Sequence, residues 1–330
     1  SVGVANGLDA LELGLRALKI GRGDEVIAPA VTAFATILAI KKVGATPVIA
    51  DVDKDTSLMS IDSAESLITS RTKAIIFVHL YGQAGDMDQW VRLTEERGLF
   101  LAEDCAQAHD AWLRGQHVGS FGQFGAFSFY PTKNLGALGD GGAFVSNSAA
   151  LADQVRILRN YGQVNRYEHV EFGLNSRLDE IQAAVLRAKL EWLPQMTSRR
   201  RANAKLLEQE LAGLSGLEPL TPAGDQSRHA HHLFVVRVPN RPEFMTCLAE
   251  LGVSSQIHYP IASHNQRAMT QFYGAGSKLH VAESHTATCV SLPLSPWLSP
   301  RRMVHLGKLV RRALENSRRL DKRKPGQFPS

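Results

Sequence analysis

Cysteine is scarce. The 330 residues include three, Cys105, Cys247 and Cys289, too few and too scattered for a disulfide framework or a metal site. Reduced thiols in a cytoplasmic protein are therefore expected, with no bound metal. No apolar run is long enough to span a bilayer, so no membrane partner is expected. No stretch reads as a secretory leader. The chain opens at Ser1 in the middle of a pattern and is read as lacking an N-terminal segment. Internal repeats are absent. Charge of one sign is also limited: 37 basic residues face 32 acidic ones, a net charge of +5. Much of that excess lies in Arg318–Lys324, read as a solvated end and not as an arm for nucleic acid.

What remains is an ordinary globular composition, 44% hydrophobic and 21% charged, long enough for two domains. Residues 1–200 are expected to form a large domain and residues 201–317 a smaller C-terminal α/β domain. The basic tail, 318–330, is expected to be disordered.

Strand and helix alternate along the first half. Strand-like runs occupy Val2–Val4, Asp24–Ala30, Thr46–Asp53, Lys73–Leu80 and Leu99–Asp104. Several are apolar on both faces, as a sheet covered by helices requires. Between them fall helical stretches at Leu8–Leu18, Thr32–Val43, Ser63–Ser70 and Met87–Arg97. The alternation predicts a largely parallel α/β sheet. Further on, Glu168–Asn175 reads as a loop or short strand, and Ser176 as the cap of a long helix that Pro194 interrupts. A helix is expected over Ala204–Leu214, and Pro219–Ser227 is turn-rich. Then come a strand His232–Val238, a helix Glu243–Leu251, a strand Ser255–Tyr259 and a closing helix Val304–Leu314.

Three features carry chemistry. Phe127-Ser128-Phe129-Tyr130-Pro131-Thr132-Lys133-Asn134-Leu135-Gly136 places one lysine among aromatics, hydroxyls and glycines. Burial disfavours an ammonium, so the amine of Lys133 is a candidate Schiff-base nucleophile. Asp104 stands where a strand runs out, the end at which open α/β sheets bind ligands. Asn6-Gly7-Leu8 enters a helix and leaves backbone N–H groups for a phosphate. Its spacing is neither a dinucleotide fingerprint nor a P-loop. Together these are what pyridoxal 5′-phosphate asks of a protein.

Longer stretches point the same way. Glu103-Asp104-Cys105-Ala106-Gln107-Ala108-His109, Ser120-Phe121-Gly122 and the block Ser128–Gly142 resemble the DegT/StrS-type nucleotide-sugar aminotransferases. So do His79-Leu80-Tyr81-Gly82-Gln83 with Asp86-Met87, Arg159-Asn160-Tyr161-Gly162, and Asn175–Ala184. The resemblance covers nearly the whole chain up to the basic tail. It implies the aspartate-aminotransferase fold (fold type I), pyridoxal 5′-phosphate as cofactor, and a homodimer with active sites at the subunit interface. It assigns the imine-forming role to Lys133 and the pairing with the pyridine nitrogen to Asp104. It lays Gln107 against the ring, and gives the phosphate to Ser128 and the backbone of Gly7 and Leu8. Asn175 would reach that phosphate from the neighbouring subunit, and His258 and Tyr259 fall on the sugar side. The chain departs from the family at three points. Leu8 replaces a common threonine or serine. Asp110 replaces a common glycine. Ala33 stands where a stacking aromatic is frequent, with Phe34 one place later, which leaves the stacking partner open.

The resemblance implies transfer of an amino group from glutamate to a nucleotide-linked keto-deoxysugar, leaning slightly to carbon 3 over carbon 4. Lysine at position 133 favours this over the family's sugar dehydratases, which carry histidine there. A non-catalytic, cofactor-binding regulator is the other alternative.

Overall fold

The computed structural model describes residues 1–222, 227–272 and 278–321. The first half builds one seven-stranded sheet. Its elements are β1 (Val2–Val4), α1 (Gly7–Ala17), β2 (Glu25–Pro29), α2 (Phe34–Lys42), β3 (Thr46–Ala50), α3 (Ile61–Ser66), β4 (Thr72–Val78), α4 (Met87–Arg97) and β5 (Phe100–Asp104). A small hairpin, β6 (Trp112–Leu113) and β7 (Gln116–His117), precedes β8 (Phe124–Ser128) and β9 (Gly142–Val145). The strand order is β1-β9-β8-β5-β4-β2-β3. Strands β3, β2, β4, β5 and β8 run parallel, and β9 is antiparallel to both its neighbours. All five residues of β2 are buried, the sign of a sheet covered on both faces.

Helix α1 shows how the sheet is covered. Asn6 caps it, its side chain accepting from the Asp9 N–H at 2.8 Å. Leu11 and Leu15 lie one turn apart and are buried, each worth about 1.5–3 kcal/mol. Gly14 allows the helix to approach the sheet: a Cβ there would fall 2.4 Å from the Phe124 ring.

The chain continues with α5 (Ala149–Leu158), β10 (Gln163–Asn165), β11 (Glu168–His169), α6 (Glu180–Leu190) and α7 (Leu193–Leu211). Next are β12 (Glu218–Pro219), β13 (Ser227–Arg228), β14 (Phe234–Arg237), α8 (Arg241–Glu250), α9 (His280–Thr288), β15 (Cys289–Leu292) and α10 (Pro300–Asp321). Strands β12, β14 and β15 form a small antiparallel sheet. A second apolar cluster surrounds it, from Ala204, Leu207 and Leu211 of α7 to Met303, Val310 and Leu314 of α10. Leu193, at the other end of α7, packs instead with Leu135, Ala137 and Leu186. Helix α7 therefore serves both halves, and position 200/201 falls inside it.

Several expectations are corrected. Ser176 does not cap α6; Asp179 holds that position. Ser176 instead accepts from the Ala5 N–H at 3.0 Å and donates to Asp9 at 2.7 Å. Pro194 does not break a helix from within. It sits in the first turn of α7, where its missing N–H costs nothing. The arginine run 199–201 lies inside that helix. Ser255–Tyr259 is no strand; Gln256 alone makes a bridge, to Ser291. The closing helix runs on to Asp321, so the first four residues of the expected tail are helical. Residues 322–330 lie outside the described residues, as do 223–226 of the turn-rich stretch. Helices α5 and α9 and strand β15 were not anticipated from the sequence.

Candidate active site

The carboxyl ends of the parallel strands converge on one cavity of about 670 Å³. Strand β5 ends at Asp104 and β8 at Ser128. The loop that turns back to β9 carries Lys133 and is tied across its base. Phe129 donates to the Gly141 carbonyl at 2.7 Å, Ala137 to Phe129 at 2.7 Å, and Lys133 to Tyr130 at 2.8 Å. Leu135 and Ala137 are buried under it. The lysine therefore sits on a loop closed by its own backbone hydrogen bonds.

Lys133 and Asp104 both line the cavity. Burial pushes the lysine below its ordinary pKa, and the Asp104 carboxylate pulls it part of the way back. Asp104 is buried and oriented: Oδ2 accepts from the Thr36 hydroxyl at 2.7 Å and Oδ1 from the Ala106 N–H at 3.1 Å. Thr32 lies 2.9 Å from the Thr36 hydroxyl. Because Thr36 donates to the carboxylate, Thr32 must donate to Thr36.

The N-terminus of α1 also lines the cavity. The Asp9 and Ala10 N–H groups are taken by Asn6, through its side chain and its carbonyl. Among the described residues no partner takes those of Gly7 and Leu8, and both residues line the cavity. Ser128 lies directly against them. A Cβ on Gly7 would stand 2.8 Å from the Ser128 Cβ, so glycine lets the helix end close on that hydroxyl. Free N–H groups at a helix N-terminus beside a hydroxyl can take an anion.

Gln107 is fixed at both ends. Its Oε1 accepts from the Tyr81 N–H at 2.6 Å, and its Nε2 donates to the Tyr259 hydroxyl at 3.1 Å. Burial, with the charge of Asp104 adding to it, pushes the Tyr259 phenol up to about 12. His258 also lines the cavity. Its Nδ1 meets the Ser291 hydroxyl at 2.9 Å, and burial followed by the charge of Lys133 lowers its pKa. Tyr81 backs this wall. Its hydroxyl donates to the His258 carbonyl and lies 2.8 Å from His285 Nε2. On the α2 side Ala33 and Ala35 line the cavity, whereas Phe34 packs against the core. The wall there is two methyl groups, and no aromatic from α2 reaches it.

Thus Gly7, Leu8, Asp104, Gln107, Ser128, Lys133, His258 and Tyr259 come together as expected. Asn175 does not join them: it is exposed and makes a backbone bridge to Asn160. Near it in sequence Tyr167, Phe172 and Ile181 are 79%, 97% and 73% exposed, unusual for large apolar side chains.

A model of the DegT/DnrJ/EryC1/StrS aminotransferase family matches residues 1–311. The chain belongs to this family. It is 45% identical to a UDP-N-acetyl-3-dehydro-alpha-D-glucosamine 3-aminotransferase of Acidithiobacillus ferrooxidans, over 95% of this chain and 84% of that protein. It is 46% identical to a dTDP-3-amino-3,6-dideoxy-alpha-D-galactopyranose transaminase of Aneurinibacillus thermoaerophilus, over 94% and 85%. Its fold matches the crystal structure of S. venezuelae DesV in complex with a ketimine intermediate. That match has a TM-score of 0.92 at 42% identity, covering 95% of this chain and 84% of that one. The architecture is thus the fold type I of the pyridoxal-phosphate-dependent transferases.

Sequence reasoning overlooked three groups in this DegT-family site. Thr36 lies in the first turn of α2, and Thr32, just before that helix, reaches its hydroxyl. Asn6 was hidden as a bare helix cap. His232 lines the cavity but reads in sequence as the start of a strand; the cluster His229-Ala230-His231-His232 before an apolar run was the available signal. A buried group, His79, Glu103 and Cys105, is compact enough to resemble a metal site. Its carboxylate, however, already accepts from Gly119, Phe121 and Gly122 N–H groups and from His79 Nε2. It anchors the turn before β8.

Proposed function

We propose that this chain is a pyridoxal 5′-phosphate-dependent aminotransferase of amino-sugar biosynthesis. It moves an amino group from glutamate to a keto-deoxysugar linked to a nucleoside diphosphate, with carbon 3 preferred over carbon 4. The observation that carries this is one cavity lined by a desolvated lysine, a buried aspartate and a helix N-terminus with free N–H groups.

The residues fit the cofactor. Lys133 would hold it through its amine, Asp104 would pair with its ring nitrogen, and Gln107 would lie against the ring. Gly7 and Leu8 N–H groups, with the Ser128 hydroxyl, would hold its phosphate. The cofactor supplies an electron sink for negative charge at the carbon next to nitrogen. Lys133 does the proton transfer. Its lowered pKa keeps more of the amine form near neutrality, able to take the proton from the α-carbon of glutamate. His258 and Tyr259 face the sugar. Asn175 serves the partner's site in a homodimer, a reading its exposure and that of Tyr167 and Phe172 support. Among the described residues no helix is long and apolar enough to cross a membrane; a cytoplasmic setting is part of this reading.

The test is the absorbance spectrum of the purified protein reconstituted with cofactor. Glutamate should convert the band of the lysine-bound form, and a nucleotide-linked 3-keto sugar should restore it. Lys133→Ala should lose both changes. A spectrum indifferent to glutamate and to every keto sugar tried would end the proposal.

A further inference from the structure

His232 lines the same cavity as Lys133 without any part assigned to it. Its segment is pinned to the large sheet from several directions. Ala230 donates to the Gly82 carbonyl at 2.7 Å and His232 to the Tyr81 carbonyl at 2.9 Å. Arg200 donates to the carbonyls of His231, His232 and Leu294 at 3.2, 3.4 and 3.3 Å. The side chain is pinned as well. Its Nδ1 lies 3.2 Å from Asn134 Oδ1, and Asn134 directly follows the lysine in sequence.

The tautomer follows from these bonds. Asn134 Nδ2 donates to the Ala230 carbonyl at 2.9 Å, which fixes the amide so that its oxygen faces His232. An oxygen can only accept, so Nδ1 of His232 carries the hydrogen. In the neutral ring Nε2 then keeps a lone pair. No described residue takes that nitrogen, and His232 shares the cavity lining with Lys133. Burial first, then the charges of Lys133, Arg200, His109 and His258, hold the ring well below its ordinary pKa and so neutral.

We propose that His232 is a positioning residue, a neutral imidazole of fixed tautomer whose Nε2 accepts a hydrogen bond from the Lys133 amine. The amine needs this when it is released to carry a proton, because it is then a freely rotating group on a long stem. An acceptor at a set place holds one N–H and aims the nitrogen lone pair towards the reacting carbon. The idea rests on the aminotransferase reading.

The experiment compares His232→Phe and His232→Gln in the full chain. The phenyl ring fills the space without an acceptor; the amide oxygen restores one. In the cofactor-loaded protein, His232→Phe should lower kcat of the glutamate half-reaction about 10- to 100-fold with KM little changed, and His232→Gln should recover most of it. In protein stripped of cofactor, the pH midpoint for modification of Lys133 by an amine reagent should move down in His232→Phe, because an acceptor favours the ammonium, and return in His232→Gln. Nitrogen NMR of labelled histidine should show the Nδ1–H tautomer at His232. An Nε2–H tautomer overturns the proposal. So does an unmoved lysine midpoint in His232→Phe, or equal damage in both variants with a shared loss of melting temperature. The stripped-protein readouts stand even if no half-reaction is found with glutamate, so failure of the wider reading is told apart from failure of this one.

Discussion

The Thr36 hydroxyl donates to Asp104 Oδ2 at 2.7 Å, from inside a helix to the end of a strand. Both side chains are buried, so a donor lost there is costly to the carboxylate. Hydrogen bonds to charged groups are worth about 1.5–3 kcal/mol. Thr36→Val keeps the volume and removes the donor. It should destabilise the chain by about that amount in urea unfolding and weaken cofactor binding, while Thr36→Ser should be near wild type. Thr32→Val removes a bond between two neutral hydroxyls and should cost about 0.5–1.5 kcal/mol.

Gly7→Ala tests the anion cradle. The new methyl would come within 2.8 Å of Ser128 Cβ, 3.1 Å of its Cα and 3.3 Å of its nitrogen. Two of those atoms belong to backbone in a sheet strand, so the helix end must retreat. A cradle widened by a fraction of an ångström loses its hydrogen bonds to a phosphate. Cofactor affinity measured by absorbance titration should fall about 10-fold or more, with the melting temperature of the stripped protein changed little. An unchanged affinity would remove the phosphate from that helix end.

What could be read in the sequence was what short-range chemistry decides. Strands β2 and β4 announce themselves because a sheet covered on both sides needs apolar residues on both faces. Lys133, Asp104 and the Gly7 turn stand out only together, since one cofactor asks for all three and the motifs around them resemble one family. What could not be read was set by distant partners. Ser176 looks like a cap by local pattern, yet Asp9 and Ala5, far away in sequence, claim it. His232 looks like strand punctuation until Asn134 and Ala230 fix its ring. Asn175 is exposed in the single chain, and the role proposed for it depends on a second chain.

Stability should fall in acid for a definable reason. Burial, aided by the charge of Lys133, holds His109 down at about 3. Burial, with Arg237 and Arg241, holds His285 down at about 4. Unfolded histidine takes a proton near 6.5. Below that pH the unfolded chain binds protons the folded chain refuses, so the stability present above pH 6.5 is lost as pH falls towards 4. Each group should remove about 2 kcal/mol between pH 6.5 and 5. Urea midpoints of the cofactor-free chain at the two pH values measure this. The double variant His109→Phe, His285→Phe should show a flatter dependence, whatever its absolute stability.

Sharing of active sites between subunits can be tested by mixing two dead proteins. Lys133→Ala loses the amine and Asn175→Ala loses the side chain assigned to the partner's site. If each site takes Lys133 from one chain and Asn175 from the other, a mixed dimer holds one site with both changes and one with neither. Random reassociation makes half the dimers mixed, so activity should recover to about a quarter of wild type. The exposed Phe172, Tyr167 and Ile181 supply the surface such a dimer would bury, and Phe172→Asp should leave monomers with little activity on a sizing column. No recovery in the mixture, with both proteins folded and exchanging subunits, would place Asn175 outside the neighbour's site. The apolar surface beside it would then need another occupant.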